Sequence, residues 1–222
     1  MNYKITALKQ QQRNPNRVNI FLDGEFAFGL SRIVAGWLEV GQELDDEKII
    51  TLQAEDELEL AYQRVVKLIS HRIRTENEIR RNLEKHQVSP EIIDRVIRRL
   101  RRSGLIDDKN FTESWVENRN EFRPRSHRML TYELRQKGIA DEVILEILDR
   151  TLPDEVLAQK AAQKNAHKYY GLEWNDFRKK LSGFLARRGF SYNIISPIVD
   201  LVWNELESQG KSGGESLKEV IE

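Results

Sequence analysis

No cysteine occurs anywhere in the 222 residues. That excludes a disulfide framework, a cysteine nucleophile and every cysteine-based zinc site, and it fits a reducing compartment. Histidine is scarce: the 4 present, His71, His86, His127 and His167, fall in different expected helices and at no metal-ligand spacing. No glycine-rich phosphate loop and no nucleophile elbow is found. No apolar run approaches the roughly 20 residues of a membrane span. Met1-Asn2-Tyr3-Lys4 leads into a polar stretch over 9–17, so no secretory segment is read and a cytoplasmic location is expected. Asp107-Asp108 is the one tempting carboxylate pair. It stands just before Phe111-Thr112-Glu113-Ser114-Trp115, where a helix favours an N-cap and negative charge, and is read as structural. The expectation is a protein that is not an enzyme, with no catalytic, cofactor-binding or metal-binding residue.

What the chain does contain is an internal repeat at an offset of 51 residues. Segments beginning at Ile79, Leu130 and Leu181 keep seven columns apolar. These are Ile79/Leu130/Leu181, Leu83/Leu134/Leu185, Val88/Ile139/Phe190, Ile92/Val143/Ile194, Ile93/Ile144/Ile195, Val96/Ile147/Ile198 and Ile97/Leu148/Val199. At 39% hydrophobic residues, one column of three is apolar by chance only about 6% of the time, so seven in register reflect repetition. Such units usually stack into an elongated curved array that offers one long surface to a partner. The low aromatic fraction of 8%, beside 32% charged residues, suits small helical units with modest cores.

The expected fold is mainly α: three tandem three-helix repeats preceded by a small β-meander and helix. Val18 to Leu22, Asp23-Gly24 and Glu25 to Phe28 read as a hairpin with a type I′ turn, and 5–8 as a third strand. A helix over 32–40, opened by Ser31 and closed by Gly41, supports the meander. The domains expected are the extension over 1–57, repeats over 58–106, 107–152 and 153–207, and a disordered tail over 208–222. Asp45 or Asp46 caps a first long helix, and the acidic run Glu55-Asp56-Glu57 with Glu59 marks a bend. Helices are expected at 58–73, 75–86 and 90–102, then 109–120, 127–137 and 141–150, then 154–170, 174–188 and 192–207. Between the second and third helices, Gly138-Ile139 and Gly189-Phe190 meet the needs of a left-handed helix end with an apolar clamp. Gln87 stands where the third glycine should, so a strained or looser turn is expected there. The four tryptophans, Trp37, Trp115, Trp174 and Trp203, read as core anchors.

A net charge of zero conceals segregation. Residues 1–60 carry 6 basic and 11 acidic side chains, residues 61–204 carry 28 and 20, a net of +8, and the last 18 carry 2 and 5. The repeats therefore suit an anionic partner. Arg98 and Arg102 lie on the most basic helix, though i,i+4 acidic neighbours and the helix dipole also account for its charge. Lys160, Lys164 and Lys168 form an i, i+4, i+8 stripe with no acid at the same spacing. Arg123, Arg125 and Arg128 cluster at a helix start, where cations oppose the dipole; with free backbone N–H groups they would form an anion site. Arg187 and Arg188 precede Gly189 at a helix end. For each group a solvated basic surface is the plainer alternative.

Three strings carry a family resemblance: Gly104-Leu105-Ile106-Asp107-Asp108-x-x-Phe111 followed by Trp115-Val116-x-x-Arg119; Leu130-x-x-Glu133-Leu134-x-x-Lys137-Gly138-Ile139; and Leu185-x-Arg187-Arg188-Gly189-Phe190-Ser191. In order and spacing they resemble the RecX family of bacterial recombination regulators over about residues 58–207. Leu22 to Phe28 is similar to the extension of its longer members. Thr112, where alanine is more usual, and Gln87 depart from the pattern. The resemblance implies three tandem three-helix repeats and a non-enzymatic modulator, most often an inhibitor, of the RecA recombinase. Such proteins bind along the groove of the RecA–DNA filament and restrain ATP hydrolysis, strand exchange and co-protease action, which belongs to DNA repair, homologous recombination and the SOS response. The implied partners are the RecA filament and single-stranded or duplex DNA within it, with weaker binding to DNA alone; no cofactor, no membrane and a monomer are expected. General DNA binding that competes for single strands is the alternative.

Overall fold

The computed structural model describes residues 1–215, with side chains described through Ser208. The chain divides into two compact units, Met1–Asp107 and Asp108–Glu222.

In the first unit, β1 (Asn2–Gln10), β2 (Arg17–Leu22), β3 (Glu25–Ser31) and β4 (Glu43–Asp45) form an antiparallel sheet of order β3-β2-β1-β4. The hairpin turn is of the expected kind, with Asp23 at φ 49° and Gly24 at φ 94°. The fourth strand was not legible, and it shortens the helix before it. That helix, α1, spans only Arg32–Ala35, and the Ser31 side chain makes no capping bond. The chain turns at Gly36 because β1 needs an edge partner: Ile5 N–H donates to the Gln42 carbonyl and Gly41 N–H to the Ile5 carbonyl, both at 2.8 Å. Ala35 and Leu38 then fill the core beneath the sheet, and Trp37, expected as a core anchor, is 88% exposed.

Helix α2 (Asp46–Ile69) opens with Asp45, whose carboxylate accepts from Lys48 N–H at 2.7 Å. It runs unbroken through the acidic stretch, against the expected bend. Two of those carboxylates are buried and paired rather than repelling one another. Asp56 accepts from Arg17 at 3.0 Å and from the Ser31 N–H, and Glu59 accepts from Arg99 at 2.7 Å and Gln63 at 3.0 Å. Leu52 belongs to the core under the sheet, whereas Ala61 and Val65 belong to the next core along. One helix therefore serves both the β module and the first repeat, and the boundary expected at 57 falls inside it. Helices α3 (Glu76–Lys85) and α4 (Pro90–Arg102) complete that repeat, capped by the Thr75 and Ser89 hydroxyls.

The second unit holds α5 (Asp108–Phe122), α6 (His127–Gln136), α7 (Asp141–Leu148), α8 (Asp154–Ala166), a 3-10 turn at His167–Tyr169, α9 (Trp174–Ala186) and α10 (Tyr192–Glu215). The last continues past the expected end at 207. The remainder of the disordered tail expected over 208–222, from 216 onward, lies outside the described residues. Alanines 158, 161, 162 and 166 on α8 are buried in the core that it shares with α9 and α10. Small side chains at a contact let helices approach closely. Trp174, Trp203 and Phe177 pack together there, with ring centroids 5.0–6.4 Å apart, and Trp115 stacks on Phe111 at 5.7 Å in the repeat before. These three tryptophans do anchor cores.

Among the 21 positions of the seven repeated columns, 18 are buried, and Val88, Val143 and Ile194 are partly buried against the same cores. The turns between second and third helices also repeat bond for bond. Val88, Ile139 and Phe190 N–H groups donate to the carbonyls of Leu83, Leu134 and Leu185 at 3.2, 3.1 and 3.4 Å. Gly138 and Gly189 sit at φ 78° and 92°, and Gln87 adopts the same left-handed conformation at φ 60°. The strain expected at Gln87 is present. No helix among the described residues is long and apolar enough to cross a membrane.

Candidate anion-binding site

Helix α5 ends where Arg123 N–H donates to the Arg119 carbonyl at 2.8 Å. A short loop through buried Pro124 then delivers the chain to Ser126, whose hydroxyl caps α6 by accepting from Met129 N–H at 3.2 Å. This loop is held against the turn between α9 and α10. Ser126 N–H donates to the Arg188 carbonyl at 3.1 Å, and Arg188 Nη1 donates back to the Pro124 carbonyl at 3.3 Å. Gly189 is needed for the contact, since a Cβ there would strike the Ser126 hydroxyl and come within 2.9 Å of Met129 Cβ. Arg128 leans over the same turn, 3.5 Å from the Gly189 carbonyl.

The result is a concentration of arginines with little acid among them. Arg125 pairs with Glu133, a carboxylate that also accepts from Trp115 Nε1 and Arg119 Nε, each at 2.9 Å. Arg123 is exposed and has no ion pair among the described residues. Burial first, and then the positive charges of Arg125 and Arg123, pull the Arg188 guanidinium below the ordinary arginine range. Arg125 and Arg188 each bury an Nε–H that finds no acceptor. Arg74 buries an Nε–H in the same way at the matching place in the first repeat.

Part of the backbone contribution to the expected site is already taken. His127 N–H is already taken by Asp154 at 2.8 Å, and Met129 N–H by the Ser126 cap. What remains is chiefly a side-chain site. The 51-residue register supplies an internal control: His71-Arg72-Ile73-Arg74-Thr75 in the first repeat matches Phe122-Arg123-Pro124-Arg125-Ser126. In the first repeat, Glu78 neutralises both arginines, at 3.1 Å from Arg72 and 3.7 Å from Arg74. Its counterpart in the second repeat is Met129, which has no charge to offer.

The remaining candidates are more scattered. Lys164 donates to the Glu121 carbonyl and lies 3.9 Å from the Glu121 carboxylate, so the lysine stripe does meet an acid, supplied by α5 rather than by its own helix. Lys160 is exposed on α8, and Lys168 lies beyond its end, in the 3-10 turn. Arg187 is exposed and folds back to 3.4 Å from where a Gly183 Cβ would stand. Arg98 and Arg102 are exposed on α4, in the first unit, whereas the other eight candidates belong to the second. Sequence reasoning missed Glu133 as the hub of the network, and it missed Phe122, which is 68% exposed beside Arg123. The repeat register would have found both the shared Arg-x-Arg pair and the loss of its acid at 129.

Sequence models of protein families match along most of the chain: the regulatory protein RecX N-terminal domain over residues 3–45, and the first, second and third RecX three-helix domains over 61–100, 107–148 and 154–199. The chain belongs to the RecX family. The regulatory protein RecX of Bacillus subtilis is 32% identical over 218 residues, covering 96% of this chain and 82% of its own length. That of Leuconostoc mesenteroides is 30% identical, covering 93% and 78%. A crystal structure of a regulatory protein RecX superposes with a TM-score of 0.71 at 29% identity, over 89% of this chain and 99% of that one. RecX from Lactobacillus salivarius gives 0.57 at 25% identity, over 69% and 98%. The RecX N-terminal domain coincides with the four-stranded sheet, and each RecX three-helix domain coincides with one of the three cores found here.

Proposed function

We propose that this RecX protein restrains a RecA recombinase by binding along the groove of the RecA–DNA filament, as a monomer, and carries out no covalent step itself. Bound there it slows ATP hydrolysis, strand exchange and co-protease action. The observation that carries this reading is the arginine junction of the second and third repeats, where Arg123, Arg125 and Arg188 crowd together, Glu133 pairs with Arg125 alone of the three, and Met129 stands where the first repeat has an acid. Crowded cations are costly unless an anion offsets them, and a nucleoprotein groove offers phosphates and carboxylates. The net +8 over residues 61–204 acts in the same direction at longer range.

The test is a titration of the purified protein onto preformed RecA filaments on single-stranded DNA, followed by ATP turnover. Suppression is expected far below one RecX per recombinase subunit. Charge reversal at the exposed Arg123 and Arg128 should raise the half-suppressing concentration by up to about thirtyfold, since exposed charge contacts contribute under about 1 kcal/mol each. Suppression only at levels that coat all the DNA would replace filament restraint with competition for the strand. An unchanged half-suppressing concentration in the double variant would remove the arginine junction from the interface.

A further inference from the structure

We infer that Phe122 is a stacking platform for an unpaired nucleobase, with the flanking phosphates taken by Arg123, Arg188 and Lys164. The inference deepens the function proposed above, resting on its premise that this surface meets nucleic acid. Phe122 closes α5 with its ring 68% exposed. Arg123 follows it in sequence. Arg188 is anchored one residue further along, on the Pro124 carbonyl, and Lys164 is anchored one residue before, on the Glu121 carbonyl. Cations from three separate elements thus reach the chain on either side of Phe122. The Glu121 carboxylate lies 3.9 Å from Lys164, the one ion pair of these three cations among the described residues.

A single exposed aromatic is ordinary on a protein surface. Tyr170 and Tyr192 are as exposed, at 68%, and what Phe122 adds is a cation anchored on each side of it in the chain. Trp37 is more exposed, at 88%, but stands in a segment with 6 basic and 11 acidic residues, where a phosphate would be repelled. Some other rings near cations already carry one over a face: Tyr62 has Arg99 at 3.7 Å, and Trp115 has Arg119 at 4.4 Å and Lys137 at 4.7 Å. Phe122 has no cation over its ring and no ring contact among the described residues, so a face remains for a base. An aromatic face beside a cationic track is the arrangement that binds single strands without reading sequence. Duplex bases are stacked on one another and present no free face, so the ligand is single-stranded.

The experiment compares the full-length protein on a fluorescent oligothymidylate and on an abasic strand of equal length, by anisotropy at low salt. The phosphates are the same and only the bases differ. The oligothymidylate should bind about fivefold or more tightly, the lower end of a base–aromatic stack. Phe122→Ala should erase that preference and Phe122→Trp should keep it, whereas Arg123→Glu should weaken both strands alike. Equal affinity of the unaltered protein for the two strands would overturn the inference. So would a preference that survives Phe122→Ala, or no binding at about 100 µM, the weak limit of sequence-independent phosphate contact. If Phe122→Ala abolishes filament restraint but keeps the base preference, the ring touches protein and the nucleobase assignment fails. A base preference that depends on Phe122, in a protein without effect on RecA turnover, would leave this inference standing and sink the function proposed above.

Discussion

Gln87 carries a strain that its sister positions avoid. A left-handed conformation costs a side-chain-bearing residue about 1–2 kcal/mol, while glycine gives back part of that through its larger chain entropy. Gln87→Gly should therefore stabilise the protein by about 0.5–1 kcal/mol, read as a higher urea midpoint at unchanged slope; a lower midpoint would show that the Gln87 side chain has a role the backbone does not reveal. Gly189 is the opposite case. Its φ of 92° and the closeness of Ser126 and Met129 leave no room for a methyl group. Gly189→Ala should cost about 2–3 kcal/mol, with hydrogen-exchange protection lost first around 123–130, and a near-neutral result would contradict the packing of that loop on the α9–α10 turn. The strain at Gln87 was legible because the repeat aligns it with two glycines. Trp37 was misread because an apolar residue on an expected helix face looks like core until the helix is known to stop at Ala35.

Helix α2 is the element on which the first unit depends. It joins two cores and holds two buried carboxylates, each paired with an arginine about 40 residues away in sequence, Arg17 for Asp56 and Arg99 for Glu59. Removing one partner of a buried pair leaves an uncompensated charge, at about 3 kcal/mol. Asp56→Ala should thus lose amide protection over β2, β3 and the first half of α2 in hydrogen exchange, and leave residues 108–208 as they were. Loss throughout the chain would mean that the two units unfold as one. Between α6 and α7 a weaker link joins Arg135 to Asp141 at 2.7 Å, and hydrogen bonding from Arg135 holds the Asp141 carboxyl below its ordinary 3.8. A depressed carboxylate contributes stability that is present above the unfolded pKa and is lost as pH falls through the folded one. Arg135→Gln should therefore flatten the acid limb of stability below about pH 4, and the contribution is small because both groups are exposed; an identical acid limb would show that the pair does not persist in solution. The acidic run was misread as a bend because its counter-ions come from distant strands and helices.

Across the whole molecule, charge is divided by segment, and the salt dependence of binding should follow from that division. Single-strand affinity should fall with salt at a slope of roughly 0.7 per phosphate contact, and Arg123→Glu should reduce that slope by about one contact. A variant with the original slope and lower affinity would mean that Arg123 acts through structure rather than on phosphate. The candidate cations were legible in the sequence as a set, but not as a site. Only Arg123, Arg125, Arg128 and Arg188 are brought together at one junction, with Lys164 anchored nearby, because Gly189 lets the α9–α10 turn dock on the loop before α6.

The sequence by itself determined the modules: apolar periodicity at 51 residues dictates which side chains must be buried together, and burial is local to each three-helix unit. It also determined the helix caps and left-handed turns, which depend on a few neighbouring residues. Only the tertiary structure decided the ion pairs whose partners lie 8 to 40 positions apart, such as Arg125–Glu133, Arg17–Asp56 and Arg99–Glu59, because a salt bridge depends on distance in space. In the first repeat Glu78 satisfies both Arg72 and Arg74, whereas in the second Arg125 turns to Glu133 and Arg123 has no ion pair among the described residues.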